Sequence, residues 1–287
     1  MDKPKWIKVK APKSESHSRM RSILKRHGLK TVCTSARCPN MGECWEQGTA
    51  TFMILGDTCT RRCKFCSVNK GTPAPPDRDE PRRLAEVVGD MGLNHAVITS
   101  VTRDDLADGG ASLFADIIRI LKRSVPMTSV EVLIPDFGGS KESLKTVIDE
   151  RPDILGHNME TVHRLYGQVR RGANYARSLR LLNDAKEAGL TTKSGFMVGL
   201  GETKEEVLEL IADLKGVSCD ILTIGQYLQP DKKFLSVVEY IRPEIFDQWK
   251  SFALELGFRQ VASGPLVRSS YHAAEMVPEL STEVAHA

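Results

Sequence analysis

Six short apolar runs alternate with longer amphipathic ones over most of this chain, and that alternation limits what it can fold into. The short runs are Thr51–Leu55, His95–Ser100, Val130–Ile134, Ile154–His157, Lys193–Val198 and Ile221–Gly225. They are rich in β-branched residues and apolar on both faces, as strands covered by helices must be. The amphipathic runs predict helices over Pro81–Met91, Ser112–Arg123, Lys141–Glu150, Tyr175–Ala188, Thr203–Leu214 and about Pro243–Leu256. Thr203 and Glu206 stand in capping-box spacing, and Gly189 stands where a helix should stop. Strict alternation of strand and helix predicts an α/β fold with a parallel sheet. About six such units make a partial (β/α)6 TIM-type barrel, with its active site at the C-terminal ends of the strands. An open doubly wound sheet has the same periodicity.

The 287 residues are 41% hydrophobic and 27% charged, which supports one large domain or two small ones. We divide the chain into an N-terminal extension (1–50), a barrel (51–260) and a short C-terminal segment (261–287). No run is apolar enough for a membrane-spanning helix. Met1–Lys13 does not read as a secretory signal, so a cytoplasmic location is expected. A net charge of +3 is too mild to make nucleic acid the main partner.

Cysteine placement carries the chemistry. Six of the seven cysteines fall between Cys33 and Cys66, and only Cys219 stands apart. Without an export signal, a metal or cluster site is a better reading than disulfides. The second triplet, Cys59-x3-Cys63-x2-Cys66, directly follows the first expected strand. Three thiolates on one loop can ligate three irons of a 4Fe–4S cube and leave the fourth iron open to a small molecule. A zinc knuckle with a distant fourth ligand is the alternative. The first triplet, Cys33-x4-Cys38-x5-Cys44, lies upstream of the barrel pattern. It suggests a second cluster, again one ligand short, or a zinc site or structural thiols. Cys219 begins a strand and reads as a small core residue.

The CxxxCxFC motif after the first barrel strand resembles the radical S-adenosylmethionine (SAM) superfamily. Two cysteine triplets in this order resemble the lipoyl synthase family in particular. The blocks ARCPNMGECW, TSVTRDDLADGGA, GHNMETV, MVGLGET, QYLQP and VRSSYHA agree with it, so the resemblance spans roughly Trp6 to Ala273. It implies two 4Fe–4S clusters, SAM, and insertion of two sulfurs at carbons 6 and 8 of an octanoyl group on a carrier lysine. The cluster at Cys59, Cys63 and Cys66 would serve radical generation. The auxiliary cluster at Cys33, Cys38 and Cys44 would donate sulfur, with Ser270 as its fourth ligand and Ser269 as the alternative serine. The implied partners are octanoylated carrier domains (the E2 subunits of 2-oxoacid dehydrogenases and the glycine cleavage H protein), an electron donor and cluster assembly proteins.

Residues expected around SAM are Phe65 within the motif, Thr99 and Ser100 at the second strand end, and Asn158 and Glu160 after the fourth. Lys193 in the fifth strand, placed to face a carboxylate, and Gln226, Tyr227 and Leu228 after the sixth, placed to frame adenine by backbone contacts, complete the set. Solvated loop polars are the competing reading for several of these, and a rim charge for Lys193. Asp104 and the Gly109–Gly110 pair shape the loop after the second strand or cap the next helix. Arg170, Arg171 and Arg268 are candidates for a carboxylate or the carrier.

The stretch from Lys3 to Lys30 is rich in Lys and Arg, as ordinary solvated surface or a segment steering an acidic carrier would be. Reversing several of these charges is expected to raise the apparent KM for the carrier, and an unchanged KM would refute that role.

Overall fold

A computed structural model describes residues 3–7, 20, 22–35, 38 and 40–276. Positions 8–19 and 21 of the basic N-terminal stretch therefore lie outside the described residues. β1 (Lys30–Thr31), α1 (Val32–Ser35) and α2 (Met41–Glu46) precede the first long strand, β2 (Thr49–Ile54). A short parallel pair follows, β3 (Thr58–Cys59) with β4 (Asn69–Lys70). Next come α3 (Glu80–Met91), β5 (His95–Ser100), α4 (Ala111–Ser124), β6 (Ser129–Leu133), α5 (Lys141–Ile148) and β7 (Ile154–Gly156). The chain continues through α6 (Tyr166–Val169), α7 (Tyr175–Glu187), β8 (Thr192–Val198), α8 (Lys204–Gly216), β9 (Ile221–Gln226), α9 (Pro243–Glu255) and β10 (Gln260–Gly264).

The eight-stranded sheet has the order β1-β2-β5-β6-β7-β8-β9-β10. All neighbours from β2 to β10 pair in parallel, while β1 joins the edge antiparallel, Lys30 opposite Met53. The parallel strands follow sequence order without reversal. A doubly wound sheet needs a reversal of strand order, so this is the partial barrel. All six expected strands and all six expected helices are found, with ends shifted by at most two residues. Besides the short β3–β4 pair, two strands of the large sheet are additions. β10 (QVASG) is a seventh parallel strand whose small residues carry little strand signal, and β1 belongs to the N-terminal extension.

Periodicity explains the packing. In α4 the side chains of Phe114, Ile117, Ile118 and Leu121 recur at helical spacing and are fully buried. Val207, Leu210, Ile211 and Leu214 do the same in α8. Each such side chain contributes roughly 1.5–3 kcal/mol on burial. Thr203 and Glu206 close the expected capping box on α8. Asp108, rather than Asp104, takes the first amides of α4, those of Gly110 and Ser112, at 2.9 and 2.8 Å.

The lower end of the barrel holds a buried charged layer. Lys193 Nζ donates to both Glu131 carboxylate oxygens at 2.9 Å, and His95 Nε2 lies 3.3 Å from the same carboxylate. Burial pushes the Glu131 carboxyl up, but charge and hydrogen bonding from Lys193 and His95 together outweigh it and hold the group below its usual range. Lys193 is thus committed near the strand N-termini and does not reach the opposite rim, where SAM was expected. Cys219 is buried at this same end, its thiol against the Thr192 and Ile221 carbonyls.

The C-terminal segment runs from the upper end to the lower one. A side chain at Gly225 would put Cβ 2.2 Å from the Val267 carbonyl oxygen, so only glycine admits the crossing there. The segment ends with Met276 packed on Ile154 and Ile221 and with Gln260 Nε2 donating to Glu275 O at 3.3 Å.

Removing one partner from a buried ion pair strands the other. Lys193→Met is therefore expected to lower the unfolding free energy by about 3–5 kcal/mol in a urea titration, while adding Glu131→Leu restores most of it. A single-mutant loss below about 1 kcal/mol would contradict this account.

Candidate functional site

The loop bearing the second triplet leaves the upper end of β2. Leu55 N donates to the buried Glu80 carboxylate at 3.0 Å, fixing where the strand stops. The β3–β4 pair then braces the loop, with Gly71 N donating to Cys59 O at 3.2 Å. Cys59 Sγ accepts the Thr102 amide at 3.3 Å, which ties it to the end of β5. Lys64 N donates to Val169 O at 3.0 Å, and Lys64 O accepts from Leu235 N at 3.3 Å. Three separate parts of the upper rim therefore hold one loop.

Its main anchor is Arg61, which sequence reading passed over. This buried guanidinium donates to both Asp104 oxygens at 2.9 and 2.8 Å and to Asp136 at 2.6 Å. Asp136 also accepts from Arg177 Nε at 2.9 Å. Burial alone would raise the Asp136 carboxyl, but hydrogen bonding and charge from Arg61, with Arg177, hold it down to about 2. The available signals were an arginine between two candidate ligands and an aspartate just beyond a strand end.

Cys63 lies near Cys66, Arg170 and Glu160. Burial pushes its thiol up to about 11, with Arg170 opposing. Such a thiol stays protonated unless a cation takes its place, so metal binding here would release protons. Arg170 donates to Asn158 O at 2.7 Å and lies over the Tyr166 ring. Asn158 Nδ2 donates to Glu160 at 3.1 Å, and burial raises the Glu160 carboxyl. Phe65 is partly buried against the second apolar core.

The other expected residues divide. Ser100 Oγ is buried at the end of β5 and has no hydrogen-bond partner. Its neighbour Thr99 spends its hydroxyl on Leu133 O at 2.8 Å. Gln226 is not available as a side-chain ligand. Its Nε2 contacts the carbonyls of Val198, Tyr227 and Glu239, and its Oε1 accepts from Ile241 N. Tyr227 donates to Leu235 O at 2.8 Å, and Leu228 sits partly exposed beyond it. Glu202 accepts the Gly199 and Leu200 amides and so shapes the loop after β8.

The first triplet is assembled too. Cys33 and Cys44 both lie within electrostatic reach of Cys38, and burial raises all three thiols, Cys44 to about 12. The C-terminal segment is laid against them. Asn40 Nδ2 donates to Leu266 O at 2.6 Å, and His272 Nε2 lies 3.2 Å from Glu43. Arg268 faces Cys38, and the His272 backbone faces the Cys44 thiol. Ser269 and Ser270 stand between these contacts, both partly buried. Arg268 Nη1 has the Val267 carbonyl at 2.7 Å and no carboxylate partner among the described residues.

These features suit anionic groups. All seven cysteines are free thiols, Ser100 Oγ is buried without a partner, and Arg268 brings an unmatched cation to one triplet. Among the described residues no three His, Cys, Asp or Glu side chains converge on one metal-ion position. A cube does not ask for that convergence, since each thiolate takes a different iron.

The radical SAM superfamily pattern matches residues 53–214. A lipoyl synthase of Caldanaerobacter subterraneus subsp. tengcongensis is 56% identical over 94% of this chain and 95% of its own. One from Bacteroides fragilis is 55% identical over 96% of each. Among solved structures, Streptococcus suis SuiB aligns with a TM-score of 0.58 at 12% identity, covering 86% of this chain and 52% of its own, a likeness of fold alone.

Asp136→Asn leaves Arg61 and Arg177 short of a charge that they share. The expected result is a loss of about 3–5 kcal/mol in urea unfolding. Iodoacetamide should also alkylate Cys63 faster in the metal-free chain. Alkylation at the wild-type rate would show that Arg61 does not hold the loop.

Proposed function

Because the chain belongs to the lipoyl synthases of the radical SAM superfamily, we propose that its two thiol triplets hold the two 4Fe–4S clusters of that enzyme. The protein is a sulfurtransferase that attaches two sulfurs, at carbons 6 and 8, to an octanoyl group on a lysine of a carrier protein. Those carbons carry no acidic proton, so acid–base groups give no handle on them. When bound, the Cys59–Cys63–Cys66 cluster with SAM supplies a 5′-deoxyadenosyl radical, and the auxiliary cluster supplies sulfur.

The chain's own residues bind and orient. Cys59, Cys63 and Cys66 hold one cluster, and the Arg61 network keeps their loop at the upper rim. Ser100 Oγ, with the backbone at Thr99, receives the polar methionine end of SAM. Asn158, Glu160 and Arg170 lie beside Cys63 as one hydrogen-bonded group for its remaining polar atoms. Cys33, Cys38 and Cys44 hold the auxiliary cluster, and Ser270 completes it, with Ser269 as the alternative. A serine oxygen is a weak partner for iron, which suits a ligand that must let go. Arg268 offsets negative charge beside Cys38.

The single observation that carries this reading is the C-terminal segment folded onto the first triplet, Arg268 against Cys38 and His272 against Cys44. The carriers are the E2 subunits of 2-oxoacid dehydrogenases and the glycine cleavage H protein. An electron donor and cluster assembly proteins serve the enzyme, and its location is the cytoplasm. No described helix is long and apolar enough to cross a membrane.

The test is anaerobic incubation of the reconstituted protein with SAM, dithionite and an octanoyl-lysyl peptide, read by mass spectrometry. The expected products are 5′-deoxyadenosine and peptide gaining one and then two sulfurs. Cys33→Ala should abolish the sulfur gain and keep deoxyadenosine. Deoxyadenosine without sulfurated peptide would remove the octanoyl substrate. Neither product, despite about eight irons per chain, would remove the reading altogether.

A further inference from the structure

The upper rim carries a cluster of cations that have no ion-pair partners. Arg62 and Lys64 flank Cys63 on the cysteine loop. The Lys64 backbone bonds to Val169, two residues before Arg171, and to Leu235, two residues after Lys233. The Arg61 side chain lies against Gly172, the residue after Arg171. Arg62, Arg171, Lys232 and Lys233 are exposed, and Lys64 is partly so. None of the five pairs with a carboxylate among the described residues.

Some exposed cations elsewhere are matched. Arg82 pairs with Asp79 and Glu86, Lys145 with Asp149, and Arg164 with Glu206. Local carboxylates offset the rim only in part. Asp104 and Asp136 are taken by Arg61, Glu160 lies inside the site, and exposed Asp231 answers one of the five cations at most. Five cations with no ion-pair partner among the described residues therefore lie on the segments around Cys63. A one-signed rim raises the local concentration of an oppositely charged partner.

We propose that Arg62, Lys64, Arg171, Lys232 and Lys233 form the docking surface for the substrate protein and meet an acidic face beside its acylated lysine. This rests on the reading above, in which the acyl chain arrives on a folded carrier. The carrier's body is too large to enter the barrel, so it seats on the rim while its lysine arm passes inward. The rim sets how often and how long the carrier sits there and takes no part in the chemistry.

The variant that tests this is Arg171→Glu/Lys232→Glu/Lys233→Glu, which leaves the cysteine loop intact. It is titrated in holoenzyme form against an intact octanoylated carrier domain, with Kd read by fluorescence anisotropy from 50 to 200 mM salt. The expected result is a Kd raised about tenfold or more and a flattened salt dependence. Reductive SAM cleavage and turnover of a short octanoyl-lysyl peptide without acidic residues should stay within about twofold. Making the carrier's acidic face basic should restore binding to the variant, a gain that a misfolded enzyme would not show. Wild-type Kd and salt slope in the variant would overturn the proposal. So would equal losses on carrier and peptide, or no rescue by the altered carrier. Failure of the wild-type enzyme to sulfurate the peptide would instead sink the functional reading.

Discussion

Arg61 is the joint on which the upper rim turns. The cysteine loop has little regular structure, and its two-residue strands cannot hold it alone. One buried guanidinium fixes it by reaching Asp104 after β5 and Asp136 after β6, while Arg177 from α7 holds Asp136 from the far side. The fork geometry of arginine matters, since a lysine offers no paired parallel donors. Two carboxylates and two guanidiniums nearly cancel in charge, which lets the group be buried without leaving one ion stranded.

A second constraint closes the open side of the barrel. The segment after β10 crosses Gly225 where no side chain would fit, turns beside α2, and descends to Met276. Its contacts with the first triplet join residues more than two hundred positions apart, as the Asn40–Leu266 hydrogen bond does. The N-terminal extension is therefore no separate appendage. It shares an edge strand with the barrel through β1 and a wall with the C-terminus through Asn40 and Glu43.

Polarity is graded along the barrel axis. The lower end keeps its charges matched and dry, with Lys193, Glu131 and His95 answering one another. The upper end leaves polar groups with capacity to spare, in Ser100, Arg268 and the rim cations. A buried polar group without a partner costs stability, and at Ser100 an incoming ligand would recover that cost.

The sequence alone determined the strands and helices, because hydrophobic period follows from which side chains must leave water. It also determined the two thiol triplets, because ligand spacing on a short loop is a local property. Tertiary structure decided the partners. Lys193 read as a candidate for the rim, yet its carboxylate lies 62 positions away in β6 and holds it at the lower end. Gln226 stood at a strand end as a candidate for backbone contact, and only the fold shows that four backbone groups consume its side-chain amide. The Arg61 anchor and the meeting of Arg268 with Cys38 were likewise invisible. Such pairings depend on the barrel's curvature and strand order, which bring distant residues within hydrogen-bond reach and leave no periodic trace in the chain.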